Sequence, residues 1–301
     1  MKLTILGCHS ATPKVNAHTS SQLLEVNGDL FLIDCGENTQ IQLRKFGVKF
    51  NRIRNIFISH LHGDHFYGLI GLISTFRLLG RESELNVFGP KGIKEIITLQ
   101  LSHSKSWTNY NLIFHELSSE KSEVIFENNK IVISTIPLNH RVYTNGFLFK
   151  EKIGLRKINK SATNLNLVDR SFYQNLKLGK DFIDHNGKVI SNTKLTFNPN
   201  KPKSYAYCSD TQYEESIVPI IKGVDLLYHE STFLEEHSKI ALKTKHCTAA
   251  QAAKISKLSN SKKLILGHFS TRYSDFSKFI DEAKNNFENV ELAYDGKIIE
   301  F

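Results

Sequence analysis

His60-Leu61-His62-Gly63-Asp64-His65 puts three histidines and an aspartate into six residues. The run follows Asn55–Ser59, which reads as a strand, and precedes Phe66–Leu79, which reads as a helix stopping at Gly80. Histidines two apart on a chain leaving a strand can both turn toward one cation. Gly63 permits a tight bend, so Asp64 and His65 can face a second cation beside the first. Neutral imidazole and carboxylate suit zinc, with manganese or iron as alternatives. With 13 histidines and 11 aspartates in 301 residues, four fixed positions arise by chance about 0.001 times. A run of surface histidines is therefore a poor explanation.

Outward from this motif, strands and helices alternate. Leu3–Leu6, Gln22–Val26 and Leu30–Ile33 are short, β-rich runs, and Val26-Asn27-Gly28-Asp29 is a hairpin signal. A helix is expected at Asn38–Phe46, then strand Leu85–Phe88, a Gly-Pro turn and helix Ile93–Leu101. The second half starts again with strands Ile131–Ile136, Gly146–Phe149 and Tyr205–Ser209. Helical runs at Glu214–Lys222, Thr248–Leu258 and Ser274–Asn286 alternate with strands Leu226–His229, Leu264–Gly267 and Val290–Ala293. Two similar mixed halves predict an α/β domain of two sheets stacked back to back with helices outside.

Composition narrows the class. Apolar residues make up 40% and charged residues 23%, with six prolines, which excludes a disordered or collagen-like chain. No apolar run approaches the roughly 18 residues of a membrane helix, and the apolar stretch in MKLTILGCHS is too short for a signal-peptide core. Cys8, Cys35, Cys208 and Cys247 form no CxxC pair, so they read as reduced thiols in a cytoplasmic protein. The formal charge is +9, and its distribution is uneven. Residues 150–188 hold nine Lys/Arg against four acids, so +5 of the +9 lies there. That polar, basic segment interrupts two core strands. The expected organisation is one domain over 1–301 with a basic arm inserted at about 151–188, suited to a polyanion.

Three later residues can complete the metal set. His140, Asp210 and His268 each follow a predicted strand, at the rim where α/β folds gather chemistry. Each alone would read as a capping or surface residue. With the motif they give His60, His62 and His140 for one ion, Asp64, His65 and His268 for the other, and Asp210 as a bridge.

This set resembles the metallo-β-lactamase superfamily, and within it the ribonuclease Z family of tRNA 3′-processing endonucleases. Leu32-Ile33-Asp34-Cys35-Gly36-Glu37, Phe88-Gly89-Pro90-Lys91-Gly92 and Tyr207-Cys208-Ser209-Asp210-Thr211 are similar to that family's segments. So are His229-Glu230-Ser231-Thr232, His246-Cys247-Thr248 and His268-Phe269-Ser270-Thr271-Arg272-Tyr273. The resemblance implies a four-layer αββα sandwich holding two zinc ions per subunit, with manganese as the alternative. It implies an endoribonuclease that removes the 3′ trailer from precursor tRNA, acting as a homodimer in which one subunit's arm serves the other's site. Ser171-Phe172-Tyr173-Gln174-Asn175-Leu176-Lys177-Leu178-Gly179-Lys180 resembles the arm's distal half, although Arg170-Ser171 stands where a Gly-Pro is usual. Thr12-Pro13-Lys14-Val15-Asn16-Ala17-His18 keeps most of an N-terminal substrate loop but lacks its arginine.

The implied roles follow. Asp64 would ligate one ion and accept the proton of the attacking water. Glu230 would orient His246, which protonates the departing ribose 3′ oxygen. Arg272, Ser270 and Lys14 would meet the phosphate, while Phe172, Tyr173, Lys177 and Lys180 would hold the tRNA body. The products would be a 3′-hydroxyl on the tRNA and a 5′-phosphate on the trailer. Asp34, on an apolar strand, reads either as a partner for a metal-ligating histidine or as an ordinary buried, hydrogen-bonded aspartate. Two other readings stand beside this one: a small-molecule phosphodiesterase or other hydrolase of the same fold, and a metal-free RNA-binding module. The basic arm and the Glu230/His246 pair argue against the first, and the filled ligand positions against the second.

Overall fold

The computed structural model describes residues 1–12 and 14–301; Pro13, in the expected substrate loop, lies outside the described residues. Strand β1 (Lys2–Gly7) runs antiparallel to β2 (Ser21–Val26), which turns back into β3 (Asp29–Ile33). Asn27 and Gly28 both take positive φ, 48° and 87°, as a two-residue hairpin turn requires. Helix α1 (Thr39–Lys45), β4 (Ile53–Phe57), α2 (Gly63–Phe66), α3 (Gly68–Leu78), β5 (Leu85–Pro90), α4 (Ile93–His103) and β6 (Leu112–Leu117) follow. The helix expected at Phe66–Leu79 is thus broken in two. Gly68 donates its N–H to the Cys35 carbonyl at 2.9 Å, and a Cβ there would meet the Gly36 carbonyl oxygen at 2.1 Å. The metal motif is pinned to the end of β3 by that close approach.

Strands β7 (Val124–Glu127), β8 (Ile131–Leu138) and β9 (Thr144–Glu151) open the second sheet. Residues Glu151–Pro202 form a separate compact unit. It contains β10 (Lys157–Ile158), α5 (Lys160–Leu165), α6 (Tyr173–Lys177), β11 (Phe182–Ile183), β12 (Val189–Ile190), α7 (Asn192–Leu195) and β13 (Thr196–Phe197). Val168, Leu176, Ile190 and Leu195 make its small core. The segment expected at about 151–188 therefore runs on to Pro202, because Ile190 and Leu195 belong to that core.

The chain then returns through β14 (Ser204–Cys208), β15 (Leu226–Glu230), α8 (Ser238–Thr244), α9 (Ala249–Ser259), β16 (Leu264–Gly267), α10 (Ser277–Lys284), β17 (Val290–Leu292) and β18 (Ile298–Glu300). The expected helix at Glu214–Lys222 is only a 3-10 turn at Glu215–Ile217 followed by turns. Pro219 has no N–H to give a helix ladder. No helix among the described residues is long and apolar enough to cross a membrane.

The two large sheets have the orders β18-β1-β2-β3-β4-β5-β6 and β17-β16-β15-β14-β9-β8-β7. Their inner faces meet through aromatic rings: Phe31 and Phe57 of the first contact Phe147 and Phe149 of the second at 5.5–6.0 Å. Each such buried ring contributes about 1.5–3 kcal/mol. Leu69, Leu72, Ile73 and Phe76 of α3 and Ile93, Ile97 and Leu101 of α4 cover the first sheet's outer face. Alanines of α9 and Phe279 of α10 join the core of the second. The result is the helix–sheet–sheet–helix layering expected. In both sheets one block is parallel, β3 to β6 and β14 to β17. Their C-terminal ends therefore gather loops on one edge of each sheet.

Candidate metal centre

Three of those strand ends turn in the left-handed region: Asp34 after β3, Asp210 after β14 and His268 after β16, with φ of 55°, 59° and 59°. Non-glycine residues take this conformation rarely, and aspartate and histidine are among those that tolerate it. His60 and His62 leave β4, Asp64 and His65 lie in α2, and His140 follows β8. All seven expected ligand residues come together in two groups that share Asp210.

In the first group His60 Nε2 lies 3.0 Å from His62 Nδ1, which is 3.3 Å from His140 Nε2. Asp210 Oδ2 stands 3.5 Å from His60 Nε2 and 3.8 Å from His140 Nε2. In the second, His65 Nε2 is 3.4 Å from Asp64 Oδ2, and His268 Nε2 is 3.3 Å from the same oxygen. Asp210 Oδ1 lies 3.3 Å from His65 Nε2 and 3.1 Å from His268 Nε2. Asp210 thus offers one oxygen to each group.

The donors fit divalent cations. A tetrahedral zinc with ligands at about 2.0–2.1 Å spaces its donor atoms about 3.3 Å apart. The outer nitrogens of four imidazoles are already engaged, which aims the others inward. His60 Nδ1 meets Ser59 Oγ at 3.0 Å, His65 Nδ1 meets Asp34 Oδ2 at 2.7 Å, His140 Nδ1 meets the Lys245 carbonyl at 2.9 Å, and His268 Nδ1 meets Thr232 Oγ1 at 2.8 Å. His65 Nε2 is buried without a hydrogen-bond partner among the described residues. Burial holds His60, His62 and His140 below their usual pKa, His140 at about 4, so their lone pairs are free at neutral pH. Burial opposes charge on His65, but Asp210, Asp64 and Asp34 outweigh it and raise its pKa. Three carboxylates around one imidazole make a place for positive charge. Of the two readings of Asp34, the structure shows the one in which it contacts a candidate metal-ligating histidine, His65.

Beside this centre Glu230, the fully buried last residue of β15, meets His246 Nδ1 at 2.7 Å. Its Oε1 also accepts the Thr211 N–H at 3.0 Å, and Oε2 accepts the Thr232 N–H and hydroxyl at 3.0 and 2.6 Å. Burial would raise the Glu230 pKa, but His246 more than offsets it and brings it to about 2. Burial likewise disfavours charge on His246, and Glu230 nevertheless lifts it to about 9.

His62, Asp64, Asp210, His246 and His268 line a cavity of about 670 Å³ with Ser270 and Arg272. The other expected substrate contacts stand elsewhere. Lys14 donates from Nζ to the Tyr273 carbonyl at 3.4 Å and lies over the Phe276 ring, so it braces the segment after Arg272. Phe172 packs edge-on against Phe182 at 5.3 Å, and the Tyr173 hydroxyl meets that of Thr163 at 3.1 Å, within the Glu151–Pro202 unit's own packing. Lys177 and Lys180 are exposed on that unit. Arg141 also lines the cavity and was missed by the sequence reading; the signal available was its place directly after His140.

The protein-family model described as "Anti-Pycsar protein Apyc1" matches residues 1–176, which include the HxHxDH motif and His140. Ribonuclease Z of Bacteroides fragilis is 45% identical over 97% of this chain and 96% of its own. That of Cytophaga hutchinsonii is 47% identical over 98% of this chain and 94% of its own. The crystal structure of human tRNase Z, short form, superposes with a TM-score of 0.72 at 26% identity, covering 100% of this chain and 99% of that one. Those two relatives span nearly the full chain, and the fold agrees with that of the human tRNase Z structure: this chain belongs to the ribonuclease Z family of metal-dependent endonucleases, in the metallo-β-lactamase fold.

Proposed function

We propose that this chain removes the 3′ trailer from precursor tRNA as a zinc-dependent endoribonuclease, leaving a 3′-hydroxyl on the tRNA and a 5′-phosphate on the trailer. The observation that carries the reading is the Glu230–His246 pair, 2.7 Å apart at the metal cavity. A ribose 3′ oxygen is a poor leaving group unless it is protonated, and His246 keeps a proton at neutral pH.

His60, His62, His140 and Asp210 would hold one zinc, and Asp64, His65, His268 and Asp210 the other, with manganese as the alternative. Two such cations, when bound, polarise the phosphodiester and lower the pKa of water. Asp64 takes the proton of the attacking water. Burial would raise its pKa, but His65 and His268 hold it well below the usual carboxylate range, so it is ionised and can accept. Glu230, ionised and fixed by Thr211 and Thr232, orients the His246 ring and stabilises its cation. Arg272 and Ser270 meet phosphates of the substrate from the loop after β16, with Lys14 bracing that loop. The basic Glu151–Pro202 unit grips the tRNA body, with Lys177 and Lys180 as its displayed cations. The enzyme works in the cytoplasm as a homodimer.

The test is cleavage of a 3′-extended precursor tRNA with both new ends mapped, alongside metal analysis. A cut after the discriminator base, with a 3′-hydroxyl on the tRNA and two zinc ions per chain, is the expected outcome. A metal-loaded protein that leaves precursor tRNA intact but turns over a small phosphodiester would be a small-molecule hydrolase instead.

A further inference from the structure

Two arginines line the metal cavity, Arg141 and Arg272. Arg141 is exposed, and its side chain has no ion-pair or hydrogen-bond partner among the described residues. The two arrive from different ends of one row of loops. Arg272 follows β16 and Arg141 follows β8, with β15, β14 and β9 between. At about 4.8 Å per strand the roots of their loops are about 19 Å apart. Asp210 and Glu230 come from the strands in the middle. A nucleic-acid chain crossing the metal centre along this row meets one arginine on each side of the scissile phosphate.

The polarity of that chain is set by where the acid stands. Lys245, in the left-handed region at φ 56°, donates from Nζ to Asn139 Oδ1 at 3.1 Å and to the His140 carbonyl at 3.2 Å. Its own carbonyl meets His140 Nδ1 at 2.9 Å. The segment carrying His246 is thereby fastened to the Asn139–Arg141 loop. Phe233, whose ring lies 6.2 Å from that of His246, and Ile240 and Thr244 of α8 continue the cavity wall there. The Thr244 hydroxyl proton is already given to the Ile240 carbonyl at 2.8 Å, so it is not offered to the cavity.

The inference rests on the role proposed above for His246. The oxygen it protonates belongs to the last nucleotide kept by the product, so that nucleotide lies on the His246 side. We propose that Arg141 binds the phosphate on the 5′ side of the last retained nucleotide, with the Phe233–Ile240–Thr244 wall against its base, and that Arg272 serves the trailer side.

The test is a set of double-mutant cycles. A methylphosphonate removes the charge of one phosphate at a time in a precursor tRNA, and each substrate is paired with wild type, Arg141→Ala and Arg272→Ala. Neutralising the phosphate 5′ of the last retained nucleotide should lower kcat/KM by about ten- to hundredfold in wild type, and Arg141→Ala should lower it similarly. The two together should be no slower than either alone. The phosphate after the first trailer nucleotide should couple in this way to Arg272→Ala and add independently to Arg141→Ala. Coupling of Arg141 to the trailer phosphate, or additivity at both phosphates, overturns the assignment. Failure of wild type on the unmodified precursor overturns the tRNA-processing reading and this inference together, and is seen before any variant is made.

Discussion

Asp34 Oδ2 lies 2.7 Å from His65 Nδ1, and the same buried carboxylate accepts the Tyr207 hydroxyl at 2.6 Å and the Ser59 hydroxyl and N–H at 2.9 and 2.7 Å. The segment after β4, helix α2 and strand β14 therefore converge on one side chain. It sets which His65 nitrogen is free for metal. Asp34→Asn keeps the shape but removes the charge and replaces an acceptor oxygen with a donor. Chelator competition should show metal affinity reduced about 10–100-fold. Urea unfolding of the metal-free protein should show a loss of about 1–3 kcal/mol. A folded Asn variant with unchanged metal affinity would remove Asp34 from this role.

Asp210 is the one carboxylate common to both groups. Asp210→Ala should lower metal content below that of wild type in both groups and abolish cleavage, while far-ultraviolet circular dichroism stays native. His65→Ala should weaken chiefly the second group. Full metal content and rate in either variant would refute the ligand assignment.

The pH dependence has a definite sign. Burial opposes charge on His246, yet Glu230 raises its pKa from the usual 6.5 to about 9. A raised pKa contributes stability that is fully present below the unfolded value and lost as pH rises through the folded one. The proton needed by the leaving oxygen is present over the same range. With metal occupancy held constant, kcat should therefore fall with rising pH near 9. Glu230→Gln removes the carboxylate and should move that limb toward neutral pH while lowering the maximum rate. An alkaline limb that does not move in the Gln variant would mean that His246 is not the group being read.

The contiguous part of the candidate site was legible because six residues carry four candidate ligands in one turn between a strand and a helix. His140, Asp210 and His268 were legible for a related reason, since each ends an apolar run. The left-handed turns at Asp34, Asp210 and His268 were not, because nothing in an aspartate or a histidine announces positive φ as a glycine would. Nor was the Lys245 carbonyl on His140, which joins residues 105 positions apart. Arg141 could have been found from its place directly after His140, although its opening into the cavity shows only in the structure. Phe172 and Tyr173, read from the sequence as a binding surface, are half-buried against a small core that the sequence pattern did not reveal. Glu214–Lys222 has helical periodicity, and Pro219 ends it.

The Glu151–Pro202 unit can be removed cleanly. Lys150 and Ser204 are directly paired across antiparallel β9 and β14, so an Asn-Gly turn can close the gap as a hairpin. Ending the deletion at 188, the boundary expected from the sequence, would strand Ile190 and Leu195, which belong to the unit's core. The unit carries ten Lys/Arg (Lys152, Arg156, Lys157, Lys160, Arg170, Lys177, Lys180, Lys188, Lys194 and Lys201) against Glu151, Asp169, Asp181 and Asp184. Binding of phosphates by these cations releases counterions, so wild-type affinity for precursor tRNA should fall linearly in log–log against salt. Excision should flatten that slope by about one unit for each phosphate the unit had neutralised. It should also reduce precursor cleavage by at least about a hundredfold at physiological salt, with turnover of a small phosphodiester retained. An equal loss on both substrates would mean that the excision damaged the metal centre. Unchanged cleavage and slope would mean that tRNA is held by other surfaces, and that the unit's charge serves another purpose.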